Sequence, residues 1–232
     1  MQIIRQNRKK DMKIAIPEYG TPQPNYRAAL ATLGAEPVQV GADADAQEFD
    51  GLLLPGGVDI NPSRYGCANL GSVGIDDELD ALQFSVLDQF VRAGKPVLGI
   101  CRGHQLISVY FGLQLIQHLP SSEIHATDPL TGKGRSHLTR SVPRTLIDRL
   151  YGPSFRTNSS HHQAAMADGC GLKTMAISED GVIEALYHES LPIFSVQWHP
   201  EKMCFALADS SLSDGSIILS HFLSLCREKS GA

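Results

Sequence analysis

No stretch of this 232-residue sequence is apolar for the roughly 20 residues that a membrane-spanning helix needs. The opening MQIIRQNRKK lacks the apolar centre of a secretory leader, so neither export nor membrane association is expected. Basic blocks are nearly absent: Arg8–Lys10, a solvated tail in this reading, is the longest run. The formal net charge is −5, and aromatic residues are not interleaved with arginine, so no nucleic-acid partner is expected. There is no Cys-x-x-Cys pair, and the cysteines (Cys67, Cys101, Cys170, Cys204 and Cys226) are odd in number. That argues against a disulfide framework and against a zinc ribbon. Internal repeats and low-complexity linkers are missing too. These absences leave a cytoplasmic protein with reduced thiols.

The chain does hold material for a core. Hydrophobic residues make up 42% of it, enough for a full interior at this length. Short apolar runs with β-branched residues predict strands at 12–16, 36–40, 49–57, 95–100, 172–177, 181–187 and 192–198. Helical patterns lie between the early strands. One runs over 25–33 up to Gly34, and one over 76–93, acidic at its start as the helix dipole prefers. In the second, Leu79, Leu82, Val86, Leu87 and Phe90 form an apolar stripe. Further helices are expected over about 102–111 and 214–227, with Ile217, Ile218, Phe222 and Leu225 of the last facing in. Residues 118–137 and 208–216 read as loops. Alternating strands and helices predict an α/β fold, a mostly parallel central sheet flanked by helices, with a small antiparallel part within 115–190. A single domain over 1–232 is expected, with 1–11 as a flexible tail.

The segment GICRGHQ (99–105) lies where a predicted buried strand turns into a helix. Gly99, Cys101 and Gly103 have the spacing of a nucleophile elbow. At such a turn the nucleophile projects off the sheet, and its neighbours at −2 and +2 must be small because two backbones approach closely. A helix starting at Arg102 would aim free N–H groups at the sulfur and favour the thiolate. Chemistry in open α/β sheets gathers at the carboxyl ends of strands. A packing cysteine between ordinary turn glycines is the competing reading, and a partner base has to decide between them.

A candidate base stands in QWHPE (197–201), just after another predicted strand. Pro200 biases His199 towards extended backbone, where residues two apart point the same way. Glu201 can therefore reach one imidazole nitrogen of His199, fix its tautomer, and leave the other nitrogen for the Cys101 thiol. His199 could instead be a capping or loop histidine. A zinc-deaminase reading of His-x-Glu needs a downstream Pro-Cys-x-x-Cys, and only Cys204 follows closely. No metal and no cofactor are expected.

Together these residues resemble the class I glutamine amidotransferase superfamily, whose fold is flavodoxin-like. The likeness extends over PGGVDINPSRYG (55–66), DDELDALQF (76–84), KPVLGICRGHQLI (95–107), NSSHHQAA (158–165), EDGVIEAL (179–186) and VQWHPE (196–201). The first and fourth of these are most similar to the gamma-glutamyl-gamma-aminobutyrate hydrolase branch. The resemblance implies Cys101 as nucleophile, His199 as acid and base, and Glu201 as orienter. It implies backbone N–H groups of Gly57 and Arg102 as the oxyanion hole, with Gln105, His161, His162 and Gln163 lining the substrate pocket; His161 and His162 could also face solvent. Asp59 could cap the PGG turn, and Tyr65 could serve packing. Three positions depart from the branch: Ser108 where Asn is usual, Phe111–Leu113 where a Gly-Gly pair is common, and Asp80 where Glu is usual.

The implied reaction is hydrolysis of a small gamma-glutamyl amide through a glutamyl thioester, in the breakdown of polyamines or similar amines. A homodimer is a possible assembly. Two rivals stand beside it. One is a glutaminase subunit that passes ammonia to a separate synthetase; the chain shows no fused synthetase. The other is a non-catalytic binding or thiol-sensing protein.

Overall fold

The computed structural model describes residues 12–230. Arg8–Lys10 and the tail expected over 1–11 lie outside the described residues. The strands are β1 (Met12–Pro17), β2 (Ala35–Val40), β3 (Gly51–Leu54), β4 (Val97–Ile100), β5 (Leu115–Ile116), β6 (Arg135–Ser141), β7 (Ser154–Ser159), β8 (Ala164–Ala165), β9 (Leu172–Ser178), β10 (Ile183–His188) and β11 (Ile193–Val196). The helices are α1 (Pro24–Thr32), α2 (Asp77–Arg92), α3 (Arg102–Tyr110), α4 (Ser122–His125), α5 (Leu146–Tyr151) and α6 (Ser216–Ser230).

The main sheet has nine strands in the order β2-β1-β3-β4-β11-β10-β9-β6-β7. The five from β2 to β11 run parallel, and β11 to β7 pair antiparallel. A separate ribbon pairs β5 with β8. The fold class is therefore as expected: a mixed sheet whose parallel strands are flanked by helices. The antiparallel part is larger than the sequence suggests, because the stretch 118–137, read as a loop, holds α4 and the start of β6.

Alternation along the strands builds a core on each face of the sheet. Ile14, Ile16, Leu53, Leu98, Ile100 and Val196 pack beneath α1, α5 and α6. Ala15, Leu52, Leu54 and Val97 pack beneath α2 and α3. Each fully buried leucine or isoleucine in these layers contributes roughly 1.5–3 kcal/mol. The inner stripe of α2 differs from the apolar one expected. Val86, Leu87 and Phe90 are buried, but Asp80 and Gln83 are buried with them, while Leu79 and Leu82 are only partly covered. Asp76 caps this helix, accepting N–H bonds from Glu78 and Leu79. In α6, Ile218 and Phe222 are buried as expected, whereas Ile217 and Leu225 are half-covered.

Strand β4 lies between β3 and β11. Their carboxyl ends carry the PGG turn, Cys101 and the QWHPE segment: the turn follows β3, the cysteine β4 and the last segment β11. Three sequence motifs far apart in the chain are thus delivered to one edge of the sheet. Among the described residues no helix is long and apolar enough to cross a membrane.

Candidate active site

Cys101 sits between β4 and α3 with φ 53° and ψ −103°. A non-glycine residue in this region carries strain of about 1–3 kcal/mol, and it persists only where its surroundings fix it. Here they do. The Cys101 N–H donates to Val196 O at 2.9 Å, and its carbonyl accepts from the His104 N–H at 3.0 Å and the Gln105 N–H at 3.2 Å. Both flanking glycines are sterically required. A Cβ on Gly99 would lie 2.6 Å from Ile107 Cδ1, and one on Gly103 would collide with the Leu54 carbonyl.

His199 is held through its backbone. Its N–H donates to Asn158 Oδ1 at 2.8 Å, and its carbonyl accepts from Asn158 Nδ2 at 2.9 Å. Its Nδ1 lies 2.8 Å from Glu201 Oε1, and its side chain is hydrogen-bonded to Cys101. Burial opposes the charged imidazole, but the Glu201 carboxylate, then the negative charge on Cys101, and the hydrogen bonds to both outweigh it. The His199 pKa is pushed up to about 10. The structure therefore brings Cys101, His199 and Glu201 together, all of them buried. His199 also borders a polar cavity of about 460 Å³, alongside Asn158, Ser160, Arg135 and Lys202.

The PGG turn closes over this pair. A Cβ on Gly56 would lie 3.0 Å from His199 Cε1 and 3.5 Å from Cys101 Cβ. Both polar groups of the Gly56 backbone are engaged: the N–H donates to Tyr26 Oη at 2.9 Å and the carbonyl accepts from Gln23 Nε2 at 3.0 Å. The Gly57 N–H finds no partner among the described residues, and Gly57 abuts the Arg102 side chain. As the first residue of α3, Arg102 has an N–H without an intrahelical acceptor.

The Arg102 guanidinium folds back into the protein and is fully buried between Asp80 and Gln83, bonded to both. Asp80 also accepts the Asn61 N–H at 2.9 Å. Burial raises the Asp80 carboxyl above its ordinary range, against the opposing pull of the Asn61 N–H and of Arg102. The polar gap in the α2 stripe thus ties the elbow helix to the loop after the PGG turn. Ser108 is buried in α3 and donates to the His104 carbonyl at 2.9 Å.

The four residues expected in the substrate pocket fare differently. Gln105 Nε2 donates to Gln163 O at 3.2 Å and to Gln197 Oε1 at 3.3 Å, so Gln105 and Gln163 are neighbours. His162 is half-buried, 2.9 Å from Asp59 Oδ2 and 3.1 Å from His118 Nδ1. Asp59 also accepts the Val73 N–H, so it fastens a neighbouring loop besides any local turn. His161 departs from its expected place. Its imidazole is turned into a buried cluster, with Nδ1 2.9 Å from Gln163 O and Nε2 3.5 Å from Glu184. A ring committed on both nitrogens to the interior does not line a pocket.

Sequence reasoning missed Tyr26, Gln23, Asp80 and Gln83 as supports of the site. It singled out Asn158 only as part of a motif. Burial, then the negative charges of Glu201 and Cys101, hold the Tyr26 phenol well above its ordinary pKa. Its hydroxyl stays protonated 3.4 Å from His199 Nδ1.

Comparison with known proteins decides the family. The Peptidase C26 family profile matches residues 8–201. The chain belongs to the Peptidase C26 family, within the class I glutamine amidotransferase superfamily. The chain is 35% identical over 156 residues to the glutamine amidotransferase-like protein YvdE of Lactococcus lactis, a match covering 66% of each chain. It is 30% identical over 187 residues to the glutamine-hydrolyzing subunit of GMP synthase from Thermococcus kodakarensis, covering 79% of each. In backbone it is similar to a GMP synthase subunit from Thermoplasma acidophilum, with a TM-score of 0.68 at 23% identity over 95% of this chain and 96% of that one. That likeness speaks for the fold alone. The match to the Lactococcus protein spans just under two thirds of that protein's length.

Proposed function

We propose that this protein is a cysteine-nucleophile hydrolase that cleaves the amide of a small gamma-glutamyl amine and releases glutamate. The family and its amidotransferase relatives support hydrolysis of an amide. The single observation carrying the catalytic assignment is the contact of His199 with both the strained Cys101 and, at 2.8 Å, Glu201.

In this reading the His199 imidazolium and the Cys101 thiolate form the reactive pair. The sulfur attacks the gamma-carbonyl carbon, and the carbonyl π electrons move onto its oxygen. The N–H groups of Gly57 and Arg102 receive that oxyanion; one such donor contributes about 3 kcal/mol. His199 Nε2 gives its proton to the leaving nitrogen, the C–N bond breaks, and a glutamyl thioester is left on Cys101. Neutral His199 then takes a proton from water as the water attacks the thioester, and collapse expels the thiolate and frees glutamate. Gln105 and Gln163, joined beside the elbow, are suited to the polar glutamyl end. Asn158, Tyr26 and Gln23 are positioning residues.

A second reading is favoured by the glutamine-hydrolyzing GMP synthase relative: a glutaminase that supplies ammonia to a separate synthetase. The experiment that separates them is glutamate release by the isolated protein from a panel of gamma-glutamyl amides, with free glutamine included. Turnover of gamma-glutamyl amines well above that of glutamine supports the hydrolase. Idleness on all amides but glutamine, relieved only by a partner, overturns it.

A further inference from the structure

On the antiparallel half of the sheet, His125 from the end of α4, His137 from β6, His161 from the loop between β7 and β8, and Glu184 from β10 converge in a fully buried cluster. One ligand atom from each lies within 4.8 Å of all the others. Glu184 Oε1 stands 3.4 Å from His137 Nε2, 3.5 Å from His161 Nε2 and 3.7 Å from His125 Nδ1. These separations are long for N–H···O bonds, which favour about 2.7–3.2 Å. They are close to the edge of a tetrahedron around an ion with bonds of about 2.0–2.1 Å, which is roughly 3.4 Å. Neither Glu184 oxygen has a hydrogen-bond donor, and His137 Nε2 and His161 Nε2 are likewise unpartnered. A buried carboxylate and two buried ring nitrogens aimed at one point, with nothing between them, is an arrangement that hydrogen bonding leaves unsatisfied.

The far side of each ring is prepared as metal sites require. His125 Nε2 lies 3.0 Å from Asp180, whose carboxylate is itself held by the hydroxyls of Ser121 and Ser178. His161 Nδ1 lies 2.9 Å from the Gln163 carbonyl. His137 Nδ1 has Thr139 Oγ1 at 3.4 Å. Each outer partner fixes the tautomer that turns a lone pair inwards. Charge balances as well: a divalent cation meets one carboxylate in the cluster and a second, Asp180, behind it.

We propose that His125, His137, His161 and Glu184 form a four-coordinate site for a divalent transition-metal ion of the zinc type. Three imidazoles and a carboxylate suit zinc or cobalt rather than calcium or magnesium, which prefer oxygen ligands. Four protein ligands leave no open position, so the ion is structural. It draws α4 and the β7–β8 loop onto β6 and β10 and, through Gln163, steadies the wall beside Gln105. It shares no side chain with Cys101, His199 or Glu201, so the reaction proposed above stands or falls separately.

The test uses the full chain, stripped of metal with a strong chelator. Addition of cobalt(II) should give the intense visible absorption of a tetrahedral ion, saturating at one equivalent. Zinc should displace it, and should raise the Tm of the stripped protein by roughly 5–10 °C at saturation. Glu184→Gln should lose the spectrum. Asp180→Asn, which leaves all four ligands in place, should weaken zinc binding by roughly 10–100-fold. A wild-type protein that shows no tetrahedral cobalt spectrum and no zinc-dependent change in Tm overturns the proposal, and identifies the cluster as a proton-bridged network. That readout needs no variant, so misfolding of Glu184→Gln cannot mask it.

Discussion

The hydroxyl of Tyr26, on α1, accepts the N–H of Gly56 at 2.9 Å and lies 3.4 Å from His199 Nδ1. One side chain thus joins the turn over the nucleophile to the base. By occupying the Gly56 N–H it leaves the next one, on Gly57, to face whatever binds at Cys101. Tyr26→Phe keeps the ring and deletes the acceptor. A buried N–H without a partner costs about 1–3 kcal/mol, and the PGG turn should relax to relieve it. We expect kcat to fall roughly tenfold or more with KM little changed, because the oxyanion contact exists only in the transition state. Steady-state kinetics on the best amide of the panel checks this; an unchanged kcat removes Tyr26 from the machinery.

The strain at Cys101 gives a second prediction, in which stability and activity move in opposite directions. At φ 53° and ψ −103° a glycine is at ease where a cysteine is not. Cys101→Gly should abolish hydrolysis yet raise stability by about 1 kcal/mol, the relief of strain less the added chain entropy of glycine. Cys101→Ala should be equally dead without that gain, since it keeps a Cβ. Denaturant unfolding of the two variants beside wild type measures the difference. A Cys101→Ala protein with wild-type activity ends the catalytic reading.

How much of this was legible in the sequence follows from which residues face apolar surroundings. Strands β1 to β4 and β9 to β11 read as apolar runs because the parallel half and its neighbours are covered on both faces. The sequences of β6 (RSHLTRS) and β7 (SFRTNS) carry no such signal. They form the open end of the sheet, and Thr139 and Thr157 face inwards but satisfy each other by a hydrogen bond at 2.9 Å. In the site, Cys101, His199 and Glu201 were readable because local spacing dictates their geometry. Asp80 and Gln83 were not: in a helix their positions look like breaks in an apolar stripe, and only the fold shows that Arg102 fills the gap. The cluster of His125, His137, His161 and Glu184 has no local spacing at all, since every member comes from a different element.

The charge state of His199 sets the pH behaviour. Its folded pKa, about 10, lies above the unfolded value of about 6.5. A raised pKa means that the protonated form is favoured by folding. That contribution is present in full below pH about 6.5 and is lost as pH rises through about 10. Wild-type stability should therefore decline from neutral to alkaline pH more steeply than that of His199→Gln. Since Glu201 is the largest of the raising influences, Glu201→Gln should move the alkaline limb of the activity profile to lower pH and slow the reaction less than Cys101→Ala does. Unfolding midpoints and kcat/KM across this range check both; parallel wild-type and His199→Gln stability curves contradict the assignment of the charge.

Asp80 tests whether the buried ion pair beneath the elbow serves folding, positioning or both. It holds Arg102 and the Asn61 N–H at once, and Arg102 has no exposed route by which water could replace the lost charge. Removing one member of such a pair costs about 3–5 kcal/mol, chiefly from the charge left behind. Asp80→Ala should accordingly lower Tm substantially. Asp80→Asn keeps the acceptor for Asn61 and part of the bond to Arg102, so it should cost less stability. Its Arg102 no longer has a counter-ion, however, and the first turn of α3 should shift against Gly57. A drop in kcat in Asp80→Asn at temperatures where the protein is fully folded assigns the pair a positioning role. Full activity in that variant, together with the loss of Tm in Asp80→Ala, assigns it to folding alone.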